Sequence, residues 1–241
     1  QAYVQTGRDT VCVSLSDGAI RWKTLGESTG MMSGGAFSSP TIATLDGVRQ
    51  LLVQTRTELC GVNTMDGRVL WRQPIQAFRG MNILTPLPIG ENQIFTAAHS
   101  GAADAFSVTK NKSGDGWTVK NTWHQNVQGY MSSPVLVDNT IYLHMKNNRF
   151  AALDAKTGES LWVSSPEGKY RSMIVQGDRI LSLLNTGKMQ LIAADRGGFN
   201  AIDTTQIATD AWAHLAIQGD LLMVRDLNRL DVYRWNADSS R

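Results

Sequence analysis

The chain has 241 residues, enough for one domain or two small ones, and its 23 Lys+Arg against 21 Asp+Glu leave a net charge of +2, too balanced to make nucleic acid or an anionic membrane the main partner. An apolar fraction of 42% with 18% charged residues argues against disorder and coiled coil. No apolar run approaches the ~18 residues of a membrane span, and two cysteines make neither a disulfide-built scaffold nor a Cys-rich metal site. The 22 glycines and the lack of long runs of helix formers point instead to β structure with many turns.

The chain begins at Gln1, inside a repeat, and the expectation is that a leader or further repeats precede it. Val4-Gln5-Thr6 recurs as Val53-Gln54-Thr55, Asp17-Gly18 as Asp66-Gly67 and Trp22 as Trp71, each 49 residues on. Further turns follow at Asp115-Gly116, Thr157-Gly158 and Arg196-Gly197. A second marker is a small residue before proline at Ser39-Pro40, Thr85-Pro86 and Ser133-Pro134; Tyr170-Arg-Ser-Met-Ile-Val175 and Trp212-Ala-His-Leu-Ala-Ile217 continue the series without proline. Strand-length apolar stretches run 3–6, 11–15 and 20–23 in the first unit, which lacks an opening strand. A complete unit reads 133–137, 140–144, 149–153 and 159–162, and the last unit reads 214–217, 221–225 and 230–235, without a closing strand. Four strands per ~40–50 residues mark a propeller blade. The predicted fold is therefore all-β: one β-propeller domain over 1–241 with approximate repeats 1–24, 36–73, 82–124, 130–164, 170–203 and 211–235. Six blade repeats are visible, the first and last incomplete, and the expectation is an arc of a 7- or 8-bladed ring, because an open arc leaves unpaired edges.

In three repeats a turn glycine sits four residues before a tryptophan: Gly18/Trp22, Gly67/Trp71 and Gly158/Trp162. Glycine allows the positive φ of a tight hairpin, and the indole then fills the wedge between neighbouring blades. The third repeat carries an insertion, Lys110-Asn-Lys-Ser-Gly-Asp-Gly116, so Trp123 rather than Trp117 is assigned to the wedge. The fifth has no Trp, and Ile202 is the expected substitute.

Leu153-Asp-Ala-Lys-Thr-Gly-Glu-Ser-Leu-Trp162 resembles the repeat of quinoprotein-like (PQQ-type) β-propellers. Asn63-Thr-Met-Asp-Gly-Arg-Val-Leu-Trp71 and Ser14-Leu-Ser-Asp-Gly-Ala-Ile-Arg-Trp22 are weaker copies. The stretch 38–54 and the ending around Ala211-Trp-Ala-His214 and Leu230-Asp-Val-Tyr233 are similar to a bacterial subgroup of PQQ-binding-like repeat proteins. The resemblance implies blade packing, seven or eight blades and export; it says little of chemistry.

Quinoprotein alcohol dehydrogenases of this family carry an adjacent Cys-Cys pair, a Ca²⁺ site and a catalytic Asp, and no residues here match them. Cys12 and Cys60 fall on equivalent strands of neighbouring blades but on opposite faces, and read as small buried hydrophobes. Gly26-Glu-Ser-Thr-Gly30 and Ser107-Val-Thr-Lys110 match hydrolase patterns that need a helix, which neither context provides. His99, His124, His144 and His214 lack metal-ligand spacing; only His124 and His214, if brought together at the axis, would share an ion. No catalytic residue and no metal site is assigned.

Propellers present partners where loops enter the innermost strands. Here those loops are 24–36, 72–82, 124–129, 163–169 and 203–211. Beside them stand the candidate binding residues Arg79, Asn82, Tyr130, Arg171, Trp212 and His214, with Met31, Met32, Phe37, Phe78 and Met81 adding adaptable apolar surface. The expected function is a non-catalytic binding or protein-interaction scaffold outside the cytoplasm, periplasmic or extracellular as the resemblance implies. It takes a protein, small-molecule or glycan ligand at the channel mouth, with no nucleic acid, no membrane span and no cofactor. The alternative is a fragment of a PQQ-dependent alcohol or sugar dehydrogenase, which alone would use PQQ with Ca²⁺.

Overall fold

The structure, a computed structural model, describes residues 1–26 and 36–235. The Gly26-Glu-Ser-Thr-Gly30 motif beyond Gly26, and Met31 and Met32, lie outside the described residues.

Six antiparallel sheets follow one another, each an up-and-down meander. Blade 1 has β1 (Ala2–Gln5), β2 (Thr10–Val13) and β3 (Ile20–Thr24). Blade 2 has β4 (Thr41–Leu45), β5 (Val48–Gln54), β6 (Glu58–Asn63) and β7 (Val69–Pro74). Blade 3 has β8 (Leu87–Gly90), β9 (Gln93–Ala97), β10 (Ala103–Lys110) and β11 (Trp117–Gln125). Blade 4 has β12 (Val135–Val137), β13 (Thr140–His144), β14 (Arg149–Asp154) and β15 (Ser160–Pro166). Blade 5 has β16 (Arg171–Gln176), β17 (Arg179–Leu184), β18 (Lys188–Ala193) and β19 (Asn200–Gln206). Blade 6 has β20 (Ala216–Gln218), β21 (Leu221–Arg225) and β22 (Leu230–Arg234). The described residues thus form six blades of an all-β propeller, four of four strands and two of three. Among the described residues the only helix is one 3₁₀ turn, Phe78–Gly80, so Ser107-Val-Thr-Lys110 runs along the end of β10 and not along a helix.

β12 lies beside both β8 and β16, which makes the first strands the inner wall. The middle strands are buried on both faces: every residue of β13 is buried, and so are the four central residues of β14. Such strands read as continuous apolar runs rather than alternating ones, because a blade is covered on both sides by its neighbours. Hydroxyls at the entry to the inner strands stitch blade to blade. Ser38 Oγ donates to the Leu84 carbonyl (2.7 Å), while the Arg171 amide donates to Ser132 Oγ and the Leu215 amide to Ser172 Oγ (both 2.9 Å). Of the small residues that precede proline, Ser133 and Thr85 also join two blades: Ser133 Oγ donates to Thr85 Oγ1 (3.1 Å) and accepts from the Thr85 amide (3.3 Å).

The tryptophans follow one geometric rule. In blades 1 to 5 the last two strands share a β-bulge, after Cys12, Gly61, Ala105, Ala152 and Leu191. Opposite those residues stand Trp22, Trp71, Trp123, Trp162 and, in blade 5, Asp203. Ile202 is the extra bulge residue and is 47% exposed, so it does not replace the missing indole. Trp22, Trp123 and Trp162 each cross to the next blade and donate Nε1–H to the carbonyls of Thr64 (3.2 Å), Ala155 (3.0 Å) and Asp195 (2.8 Å). Burying each ring is worth about 2–3 kcal/mol. The turn glycines are required twice over. Gly67 and Gly158 have φ of 76° and 73°, and a Cβ would come within 2.7 Å of the Trp22 ring and 2.4 Å of the Trp123 ring.

Trp71 departs from the rule and donates to Gln50 Oε1 of its own blade (2.7 Å). In blade 3 the insertion extends the β10–β11 hairpin past the point where other blades turn. The hairpin leans on blade 2: Trp117 and Val119 pack against the cluster that holds Ala43, Leu45, Leu52 and Trp71, and the Lys110 amide donates to Asp46 Oδ2 (2.8 Å). Cys12 and Cys60 are free, fully buried and part of one cluster with Trp22, Leu51, Val53 and Val62. Lying on opposite faces of successive blades is what brings both to the same junction, and burial pushes the Cys60 thiol up.

Candidate functional site

A four-stranded meander sends the blade-to-blade loops and the turn between its second and third strands to the same end. That end carries two aromatic–cation clusters.

The first joins blades 2, 3 and 4. The Phe78–Gly80 turn holds Arg79 in the left-handed region (φ 51°), a conformation that costs a non-glycine residue of order 1 kcal/mol and marks functional loops. The turn is fixed from behind, because Arg56 Nη2 donates to the Arg79 carbonyl (2.8 Å). The Arg56 guanidinium lies 4.8 Å from the Phe37 ring centre, and that of Arg79 5.1 Å from Phe78. Phe78 in turn meets His99 (5.4 Å between ring centres), which meets Tyr130 (4.8 Å). Burial, then the Lys146 charge, lower the His99 pKa, so near pH 7 a neutral ring makes these two tilted contacts. Phe37 and Phe78 are 52% and 46% exposed, and neither Arg56 nor Arg79 has a carboxylate partner among the described residues. A cleft of about 610 Å³ opens beside Arg56, Thr57, Phe78, Arg79 and Ser100.

Asn82 sits beneath this cluster, fully buried. Its Nδ2 donates to the Arg56 carbonyl (3.0 Å), while its Oδ1 has no hydrogen-bond partner. It anchors the loop from inside.

The second cluster lies at blades 5 and 6. Tyr170 stacks on Trp212 (6.0 Å, 23°) and meets the edge of His214 (5.9 Å). Burial raises the Tyr170 pKa to about 12 and lowers that of His214, so both are neutral near pH 7. Beneath them Arg171, at the first position of β16, is 1% exposed. Its Nη1 donates to Ser182 Oγ (2.7 Å) and Gln190 Oε1 (2.8 Å), its Nη2 reaches Glu167 (3.4 Å), and its guanidinium packs on Phe150 (4.7 Å). Burial pulls the Arg171 pKa down to about 10 against the opposing pull of Glu167. Burial favours the neutral Glu167 carboxyl too, but Lys188, Arg171 and Gln190 outweigh it and leave the carboxyl below its usual range. His144 stands against this group, its two ring nitrogens unpartnered. Burial, then the Arg171 charge, push it down to about 4, although the nearby Gly168 peptide and Glu167 pull the other way.

The expected mouth residues therefore divide. Arg79, Trp212 and His214 are exposed and Tyr130 is half-buried, whereas Asn82 and Arg171 are buried beneath the loops. His124 is on the outer strand β11 and pairs with Asp104 (2.8 Å), away from His214 in blade 6. Among the described residues no three His, Cys, Asp or Glu side chains are grouped to hold a metal ion. Arg56 and His99 escape a reading of the blade-to-blade loops alone. Strand parity points to them, since the turns after β5 and β9 reach the same end.

Solved structures share this architecture. BamB from Moraxella catarrhalis aligns with a TM-score of 0.71 at 16% identity, over 97% of this chain and 69% of that one. BBS1N, solved in complex with ARL6DN, aligns at 0.65 and 11%, over 98% and 75%. The Cps50 (Swd1) β-propeller domain from Myceliophteria thermophila aligns at 0.65 and 12%, over 96% and 78%. At such identities the likeness shows the fold. No curated protein sequence matches the chain. The family described as outer membrane protein assembly factor BamB matches residues 1–164, and the chain belongs to that PQQ-like repeat family. Among the described residues no helix is long and apolar enough to cross a membrane.

Proposed function

We propose that this BamB-family propeller is a non-catalytic interaction scaffold, acting outside the cytoplasm as the family's description suggests. The two incomplete end blades belong, in this reading, to a ring of seven or eight. The observation that carries the reading is the Phe37–Arg56–Phe78–Arg79 patch: two exposed phenyl rings and two arginines that have no acidic partner among the described residues, on one loop end. Exposed aromatics with Arg form the anchor chemistry of protein interfaces, and the unpaired positive charge selects an acidic partner segment that also carries apolar side chains. Arg79, Tyr130, Trp212 and His214 touch that partner, while Asn82 and Arg171 hold the loops that present them. Two propellers of like fold fit this use, one described as an assembly factor and one solved in complex with ARL6DN.

The test is site-specific photo-crosslinking in the producing cell, with probes at Phe78, Arg79 and Trp212 and controls at Asp138 and Asp178 on the opposite end. The expected result is one shared protein adduct from the first set, lost in Arg79→Glu. Equal adducts from both ends, or none, would overturn the reading. So would tight uptake of PQQ with Ca²⁺ and alcohol-dependent reduction of an electron acceptor, the result the dehydrogenase alternative requires.

A further inference from the structure

Among the described residues, the blade 5–blade 6 junction has an opening where its sister junctions hold a ring. The hairpins of blades 4, 5 and 6 close on the pairs Val137–Thr140, Gln176–Arg179 and Gln218–Leu221, which sets their strands in register. By that register Leu181 corresponds to Tyr142, Leu191 to Ala152, Ile217 to Val175, Leu222 to Ile180 and Trp235 to Ala194. At the blade 4–blade 5 junction the second members of these pairs form the group against which Trp162 packs. At the next junction the first members line a cleft of about 690 Å³. The position that supplies the indole elsewhere is Asp203, which is exposed and too short to reach across. Trp235 occupies the place of Thr64 and Ala155, whose carbonyls accept the Trp22 and Trp123 indole N–H groups.

We propose that this cleft is a binding site for a small planar aromatic molecule with a ring N–H, of the size and kind of indole. Its walls are Leu181, Leu191, Ile217 and Leu222, with Gln176, Arg179 and Asp220 at the rim and the Trp235 backbone as the acceptor. The volume suits a small ligand, and an apolar enclosure with few polar groups is how such sites are built. The inference is independent of the partner surface on the loop end.

The probe is free indole, titrated into the protein with methyl-labelled Leu and Ile and followed by NMR. The expected result is saturable shifts of Leu181, Leu191, Ile217 and Leu222 methyls, with those of Ile180 and Ile192 unmoved. Asp203→Trp, which supplies the indole covalently, is expected to weaken binding about tenfold or more, the equivalent of about 1.4 kcal/mol. Leu181→Tyr, which restores the residue found at Tyr142, narrows the cleft from the other wall and is expected to do the same. No saturable shift with the native protein, or binding unchanged in both folded variants, would overturn the proposal. Loss of binding without loss of the Phe78 and Arg79 crosslinks separates this site from the partner surface.

Discussion

Blade junctions 4–5 and 5–6 set corresponding strands in the same register, although blade 6 has three described strands and blade 5 four, and one junction is filled while the other is open. The first has Trp162 over Ile180 and Ile192, and Arg171 spanning from β16 to Phe150 under Glu167. The second has an aspartate at the tryptophan's position and a cleft between leucines. The difference teaches that the backbone of a blade does not depend on the wedge; the side chain opposite the bulge decides whether a junction is closed. All of β19 is exposed where Trp would have drawn it onto the next blade.

The largest expected effect sharpens the filled side. Arg171→Ala leaves Glu167, Ser182 and Gln190 without their shared donor and a hollow beside Phe150. It is expected to cost about 3–5 kcal/mol in denaturant-midpoint measurements, the range for breaking a buried ion pair from one side. Trp162→Ala comes next, at about 3 kcal/mol, because it turns the closed junction into a copy of the open one. A Trp162→Ala loss under 1 kcal/mol would end the comparison.

Acid acts on the same junction. His144 has an ordinary value of 6.5 and a folded value of about 4. Between those pH values the unfolded chain binds a proton that the folded protein refuses, so stability is present above about 6.5 and is lost as pH falls toward 4. The loss is up to about 3 kcal/mol, and His99 and His214, also lowered by burial, add in the same direction. Unfolding midpoints measured across this range are expected to fall in the native protein and to flatten in His144→Leu. The smallest effect repairs the open side: Asp203→Trp is expected to stabilise by about 1 kcal/mol, as cavity filling does. If calorimetry shows it neutral while Trp162→Ala is costly, the two junctions are not equivalent.

The blades were legible because each is a local unit. Glycine, turn and tryptophan spacings recur within one meander, where hydrogen-bond geometry is set by neighbours in sequence. The choice of Trp123 over Trp117 followed from the inserted hairpin for the same reason. The substitution of Ile202 failed because counting from a turn does not see a bulge, and one extra residue moves the wedge position to Asp203. The site was less legible still. Arg79 and Trp212 are visible as loop residues, but the burial of Arg171 and Asn82 depends on packing between blades. The tilted contact of His99 with Tyr130 joins loops 31 residues apart, and only the direction of each strand places them together.

The bulge beside every wedge residue also sets what the repeat tolerates over time. Lengthening a hairpin tip, as blade 3 has done, adds surface and leaves the facing of each strand intact. Deleting one residue from the regular part of a bulged strand, such as Val163, would invert the facing of every residue beyond it in that strand. Insertions and deletions in such chains should therefore accumulate at turns and be purged from the bulged strand, a frame kept by counting rather than by chemistry.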